Sequence, residues 1–399
     1  MYRLLCLLSL TLPAAAEVLT LQTVTAHALR HNADLEAARM TIAEAQGRLL
    51  QAGRYANPEV ETEWKPNVRG REMSAGIGVM QKLPLTSRLR LEKAVSRAEL
   101  AAAEAEVREA ERKISTDVRT LAVKILALQA RRVLEQKQIT NGKEIATLVT
   151  KLAAAGEGST LEAGQVELEA AQLELGLLQT DAEIAALTGE LRPLLGMNSG
   201  RTLEISGELP EVKSTGRQEP RLEKRPDYQM ATAKAEAASQ AVKLAQAGKW
   251  EDLSIGLAAE VERMEDAPDG LEADTFIGLK FSLPLPLWNQ NEGNIQSARA
   301  AAQRAEKEAG ALALRIRNEA AAAQREMEIS ASILRQSDDL LPKTAALEER
   351  YRKSYGAGQS TLTEVLRIRD RRLSLQTARL NALRDFHLAR VRSEAALGN

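Results

Sequence analysis

Gln51-Ala52-Gly53-Arg54-Tyr55 returns 195 residues later as Gln246-Ala247-Gly248-Lys249-Trp250. Outward from that pair, Leu83-Pro84-Leu85 returns as Leu283-Pro284-Leu285, an offset of 200. A glycine-broken turn, Ala155-Gly156-Glu157-Gly158-Ser159-Thr160-Leu161, returns as Gly356-Ala357-Gly358-Gln359-Ser360-Thr361-Leu362, shifted by 200 to 202. Three landmarks in the same order at a nearly constant offset mean a duplicated unit of almost half the chain. Each copy reads as helix, strand, strand, long helix, tight turn, helix, and neither copy can bury its own apolar surface.

Aromatic residues make up 3% of the 399 and charged residues 27%, with Ala, Leu, Glu, Arg and Gln abundant. That is the composition of long helices and coiled coils rather than of compact domains. A net charge of −1, with no basic stripe interleaved with aromatics, gives no sign of a nucleic-acid partner. Residues 1–16 read as a signal peptide: Arg3, an apolar run from Leu4 to Leu12, then Pro13 and three alanines before Glu17. The other reading of this stretch is an ordinary buried N-terminal helix. The single cysteine, Cys6, falls inside it, too early for a lipid anchor, so the mature chain is expected to be cysteine-free.

The first repeat, 17–195, is expected to hold a helix over 20–53, two strands over about 58–83 and a helical hairpin over 86–195. Residues 196–226 form a linker with a short strand near Leu203. The second repeat, 227–399, is expected to hold a helix, strands over about 251–283 and a hairpin over 292–396. Val107, Ala110, Ile114, Val118, Leu121, Ile125 and Leu128, three and four apart, make a coiled-coil seam. The 69 residues from Thr86 to Ala154 would span roughly 100 Å as a helix. Leu161, Leu168 and Leu175 repeat every seven on the next helix, and Leu366, Leu373, Leu380 and His387 on the last. In each copy the two short helices together are about as long as the long one, which predicts a wall of paired helices.

The strands alternate. Leu253, Ile255, Leu257, Ala259 and Val261 interleave with Ser254, Gly256, Ala258 and Glu260, and Ile277, Leu279, Phe281 and Leu283 with Gly278, Lys280 and Ser282. An apolar face and a polar face of about ten residues is what a tilted membrane-barrel strand requires. An open sheet cannot sit in lipid, because its edge amides stay unsatisfied. Four strands cannot close a barrel, so several copies must complete it. Two copies would give eight strands; three, giving twelve, suit a wall of that many helices. A soluble antiparallel sheet with one wet face would account for the strands alone.

The layout resembles the outer-membrane efflux protein family, the TolC-like trimeric channels, over essentially the whole mature chain. The residues that carry the resemblance are the repeated Leu-Pro-Leu junction and the segment Tyr355-Gly356-Ala357-Gly358-Gln359-Ser360-Thr361-Leu362-Thr363-Glu364-Val365-Leu366. Leu283-Pro284-Leu285-Pro286-Leu287-Trp288-Asn289-Gln290-Asn291-Glu292-Gly293 is similar to the junction of the heavy-metal, CzcC/CusC-like branch. Pro84, Pro284 and Pro286 mark these strand-to-helix junctions. The resemblance implies a mainly helical fold with membrane β-structure: long hairpins plus four strands per chain, and a homotrimer that forms a 12-stranded β-barrel on an α-barrel. It implies placement in the outer-membrane lipid, a periplasmic adaptor (membrane fusion) protein and an inner-membrane pump of the RND type.

By the same resemblance Gly156, Gly158, Gly358 and Ser360 would lie at adaptor-contacting tips. Glu364 stands at the family's first constricting acid, Arg367 where a second acid often lies, and Tyr355 and Glu162 at positions that hold neighbouring hairpins shut. Ser360 replaces the usual arginine of that latch. Each of these residues also reads simply as a solvated helix-end group. Glu59, Glu61, Glu63, Glu260 and Glu262 against Lys280 would line the barrel lumen as an acidic duct, or serve only to keep that face wet.

His27 and His31 are four apart with no third ligand nearby, and eight methionines form no cluster. No cofactor is expected, and three histidines with no cysteine in the mature chain leave no arrangement for nucleophilic catalysis. The expectation is a passive exit duct, not an enzyme, in a tripartite efflux system for metal cations. A duct for organic compounds or for type I protein secretion remains open. So does a periplasmic coiled-coil adaptor or scaffold that spans no membrane.

Overall fold

The computed structural model describes residues 17–68, 72–155, 159–212, 216, 218–266 and 270–398. The expected signal peptide and the tip glycines Gly156 and Gly158 lie outside the described residues. Strands are β1 Glu17–Thr20, β2 Glu59–Pro66, β3 Met73–Leu83, β4 Leu203–Ser206, β5 Leu253–Asp266 and β6 Gly270–Ser282. Helices are α1 Thr23–His31, α2 Ala33–Gln51, α3 Arg88–Ala154, α4 Thr160–Leu194, α5 Pro226–Ala247, α6 Glu292–Gly356 and α7 Leu362–Leu397. The chain divides into two compact units. One comprises Met1–Ala37, Arg108–Arg225 and Leu314–Asn399; the other comprises Ala38–Val107 and Pro226–Ala313. The 67-residue α3 and the 65-residue α6 contribute to both.

In the second unit β2, β3, β5 and β6 form one antiparallel sheet in that order. The two hairpins, one from each copy, join through β3 and β5, and β2 and β6 are left as edges. Gly53 ends the first pre-strand helix in the left-handed conformation (φ 71°), and a Cβ there would stand 2.5 Å from the Leu89 carbonyl oxygen. A side chain could not occupy that space, which accounts for the glycine of the repeated motif. In the second copy Gly248 lies against the Asn291 amide, which donates to the Ala245 carbonyl at 2.8 Å. Asn291 itself takes a positive φ of 62°, and its backbone N–H donates to Asn289 Oδ1 at 3.0 Å. The Asn-Gln-Asn of the junction thus ties the start of α6 to the end of α5.

The helical unit is built on apolar seams. Val118, Leu121 and Ile125 of α3 are buried and pack with Leu19, Val24, Ala28, Leu191, Leu195, Leu203 and Ile205. A second cluster joins Met327 and Leu334 of α6 to Ala382, Phe386 and Ala389 of α7. Pro342 lies within α6, where it removes one ladder hydrogen bond.

The helix expected over 20–53 is two helices, because Asn32 breaks it. Asn32 is extended (ψ 121°), its Oδ1 accepts from the Leu35 backbone N–H at 2.9 Å, and its Nδ2 donates to the Leu194 carbonyl at 3.0 Å. One side chain thereby caps α2 and bonds to the end of α4, a combination that the helical spacing does not reveal. The strand β1 has no counterpart in the sequence reading: it pairs in parallel with β4, Leu19 opposite Ile205. Four residues are too few for an alternation signal.

Gly196 follows α4 at φ 66°, and a Cβ there would approach the His31 carbonyl oxygen to 2.0 Å. Left-handed backbone in a non-glycine residue costs on the order of 1–3 kcal/mol, and the collision adds to it. Gly196→Ala is therefore expected to lose at least ~2 kcal/mol of helical stability in urea unfolding followed by circular dichroism. An unchanged midpoint would refute this packing.

Candidate functional site

Strand register fixes what each face of the sheet carries. On one face stand Val60 and Trp64 of β2, Ile77 and Val79 of β3, Leu257 and Val261 of β5, and Ile277, Leu279 and Phe281 of β6, all exposed. The other face runs in rungs across the four strands: Glu59, Met80, Gly256, Lys280; then Glu61, Gly78, Ala258, Gly278; then Glu63, Gly76, Glu260, Phe276; then Lys65, Ser74, Glu262, Asp274. Met80 lies over Gly256, where a Cβ would stand 2.0 Å from its sulfur. The polar face therefore has a smooth middle of small residues.

The structure brings Glu59, Glu61, Glu63, Glu260, Glu262 and Lys280 onto this one face, but Lys280 is not its only cation. Lys82 bonds Glu59 at 2.6 Å, Lys65 bonds Glu63 at 2.5 Å, and Lys280 stands 3.7 Å from Glu61. Ser74 Oγ donates to Glu260. The pairing also adds Asp274 beside Glu262 and Glu272 beside Met264. The carboxylates nearest the α-helices are thus matched by lysines, and the excess of acid lies toward the β5–β6 turn. Lys65 and Lys82, which the sequence reading does not include, stand near the ends of β2 and β3, where alternation merges into turn and junction. Phe276 lies opposite Glu260 on the polar face.

Pro84 follows the last residue of β3 and Pro284 stands two residues past β6, so each ends a strand where no N–H is needed. Pro286 sits among exposed Leu285, Leu287 and Trp288.

Two residues past α6, Gly358 takes the left-handed conformation, and the Gln359 N–H donates to the Ser354 carbonyl at 2.8 Å. Ser360 Oγ donates to the Tyr351 carbonyl at 3.2 Å, so it closes this turn and does not reach α4. Tyr355 and Glu162 do meet: the phenol donates to Glu162 Oε2 at 3.5 Å, the outer limit of a hydrogen bond. Burial, and then the Glu162 charge, push the Tyr355 pKa up from 10.0, so the phenol stays a donor.

Beneath this contact Leu362 and Leu366 of α7 are buried with Ile145, Val149 and Val166, each leucine contributing about 2 kcal/mol by burial. Arg369 bonds Glu169 at 2.8 Å and joins α7 to α4, a pair absent from the sequence reading.

Glu364 closes a capping box: its carboxylate accepts from the Thr361 N–H at 2.9 Å, and Thr361 Oγ1 accepts from the Glu364 N–H. Arg367 is exposed one turn on. His27 and His31 stack with centroids 4.4 Å apart. Among the described residues no group of three or more His, Cys, Asp or Glu is placed to hold a metal, and no helix is long and apolar enough to cross a membrane.

Residues 220–399 match the family described as outer membrane efflux protein. Cobalt-zinc-cadmium resistance protein CzcC of Cupriavidus metallidurans is 25% identical over 302 residues, which is 74% of this chain and 69% of that protein. Among solved structures, CusC superposes with a TM-score of 0.76 at 19% identity, covering 95% of this chain and 92% of that one. The outer membrane protein VceC of Vibrio cholerae superposes with a TM-score of 0.77 at 21% identity, covering 95% and 96%. The family resemblance read in the sequence is borne out, and the fold is the one these structures share.

His387 of α7 is buried, and its Nε2 donates to the Pro210 carbonyl at 2.8 Å. Burial foremost holds its pKa below 6.5, with Arg390 adding to the effect while the Pro210 bond and Glu394 oppose it. The unfolded chain therefore takes up the proton first as pH drops below 6.5. Stability is unaffected by this group above that pH and falls below it. Melting temperatures between pH 8 and pH 5.5 are expected to decline more steeply in the native chain than in His387→Gln; parallel curves would remove His387 from the account.

Proposed function

We propose that this chain, whose residues 220–399 match the outer membrane efflux protein family and whose fold is that of CusC and VceC, is the passive exit duct of a tripartite efflux system. In this reading it is a homotrimer in the outer membrane, exported by the signal peptide of residues 1–16. A twelve-stranded barrel sits in lipid and a helical barrel crosses the periplasm. A periplasmic adaptor and an RND-type inner-membrane pump deliver the cargo. The observation that carries the reading is the sheet: one exposed apolar face, one charged face, and two unpaired edges on the same four strands. Lipid tolerates such a sheet only when neighbouring copies satisfy the edges. The charged face then surrounds water, and the excess acid near the β5–β6 turn favours cations at that end.

The duct does no chemistry. Energy comes from the pump, and the chain offers shape, charge and a gate. The gate lies where α7 begins, with Tyr355, Glu162 and Arg369–Glu169 fastening α6 and α7 to α4 and the Gly358 and Ser360 turn facing the adaptor. Metal cations are the favoured cargo because CzcC is a cobalt-zinc-cadmium resistance protein. A duct for organic compounds or secreted protein uses the same architecture. Two long hairpins with four amphipathic strands speak against a periplasmic adaptor or scaffold.

Deleting the chain is expected to lower tolerance to cobalt, zinc or cadmium while tolerance to a dye and a detergent is retained. Unchanged metal tolerance with lost dye tolerance would replace the metal assignment by the organic one. Glu364 serves as cap and, in the trimer, as one of three carboxylates about the axis. Glu364→Gln keeps the reciprocal cap and removes the charge, so thermal stability should hold while divalent-cation block of single-channel current weakens. If block is unchanged, Glu364 is a helix cap and nothing more.

A further inference from the structure

Two imidazoles stand side by side on a helix that its surroundings hold still. His27 and His31 of α1 are four apart and therefore neighbours on one helix face. Their rings stack with centroids 4.4 Å apart and planes inclined by 28°. Each follows a buried residue by three positions, Val24 and Ala28, which sit in the apolar cluster shared with α3 and α4. Before the helix, Thr20 and Thr23 each donate a backbone N–H to the hydroxyl of the other. After it, the Asn32 N–H donates to the Ala28 carbonyl and the Asn32 side chain to the Leu194 carbonyl. Gly196 lies against the His31 carbonyl. The backbone beneath the two rings is thus fixed at both ends, so little order is left to impose when a ligand binds.

We infer that His27 and His31 form a two-imidazole site for a divalent copper ion, open to solvent and exchangeable. His31 Nδ1 lies 3.0 Å from the His27 carbonyl oxygen. A carbonyl only accepts, so Nδ1 carries the proton and Nε2 the lone pair. Fixing one ring nitrogen on a carbonyl in this way is how proteins orient the other toward a metal. The second donor is the half-buried His27 ring beside the exposed His31. Turning about its broad χ2 torsion brings a nitrogen to the same ion.

Ligand number selects the metal. The spacing is that of the two histidines in helical zinc motifs, but zinc sites draw three or four ligands from the protein. Among the described residues no cluster of three or more His, Cys, Asp or Glu is placed to supply them. Copper(II) binds nitrogen donors more strongly than the other first-row divalent ions and accepts a tetragonal shell, which water completes here. An ion held by two side chains exchanges, which separates this site from that of a resident cofactor. A passive duct needs no bound cation, so the inference goes beyond the proposed function and does not lean on it.

The test titrates copper(II) into the full chain, Cys6→Ser and without an added histidine tag, in detergent at neutral pH against a chromogenic chelator. One ion per chain is expected, with an electron spin resonance signal from two imidazole nitrogens. His27→Gln and His31→Gln should each weaken binding by roughly a hundredfold, because the second donor binds intramolecularly. Ala26→His with His31→Gln keeps two histidines on α1 at adjacent positions that do not face each other, and should stay as weak as the single variants. His387→Gln should bind as the native chain does, since that ring is buried against the Pro210 carbonyl. Circular dichroism checks that each variant is folded. A single-imidazole signal, undiminished binding in the His27→Gln, His31→Gln double variant, or a displaced pair as strong as the native one would each overturn the site. Neither histidine belongs to the sheet or to the Tyr355–Glu162 contact, so the double variant should assemble as the native chain does. Lost copper binding in an intact assembly supports the site, whereas a native chain that forms no trimer overturns the duct and leaves the copper result standing.

Discussion

Unpaired main-chain groups along β2 and β6 are the constraint on which the molecule depends. The sheet ends in two edges, and its outer face carries Val60, Trp64, Ile77, Leu257, Ile277 and Phe281 in the open. Water would accept the edges but not the face, and lipid would accept the face but not the edges. A ring of copies, each lending an edge to the next, satisfies both.

Duplication explains why the interior of one chain is nonetheless well made. Val166 of the first copy and Leu366 of the second are buried in a single cluster. Three residues on, Glu169 and Arg369 form an ion pair. The two copies thus meet through α4 and α7. In the sheet the copies meet through β3 and β5. Partly exposed, the Arg369 pair adds little stability on its own. Beneath Tyr355–Glu162 it gives α4 a second link, here to α7.

Much of this was legible in the residues. The repeated Gln-Ala-Gly and Leu-Pro-Leu landmarks gave the duplication, the alternation in 253–261 and 277–283 gave the amphipathic strands, and the seam from Val107 to Ile125 gave the buried line of α3. What escaped depends on contacts distant in sequence. Asn32 breaks a helix because Leu194 offers a carbonyl, and β1 exists because β4 lies beside it. Glu364, by resemblance a constricting acid or else a solvated helix-end group, is engaged in a cap. The leucines at 161, 168 and 175 keep their heptad spacing, but all three are exposed within one chain.

The account comes down to whether one chain is a finished object. Native mass spectrometry of the mature protein released from detergent addresses this directly. It should report three chains in one particle, and removal of detergent should precipitate it. A single chain, stable and monodisperse in detergent-free buffer with the faces of Ile277 and Phe281 covered, would contradict the account at its root.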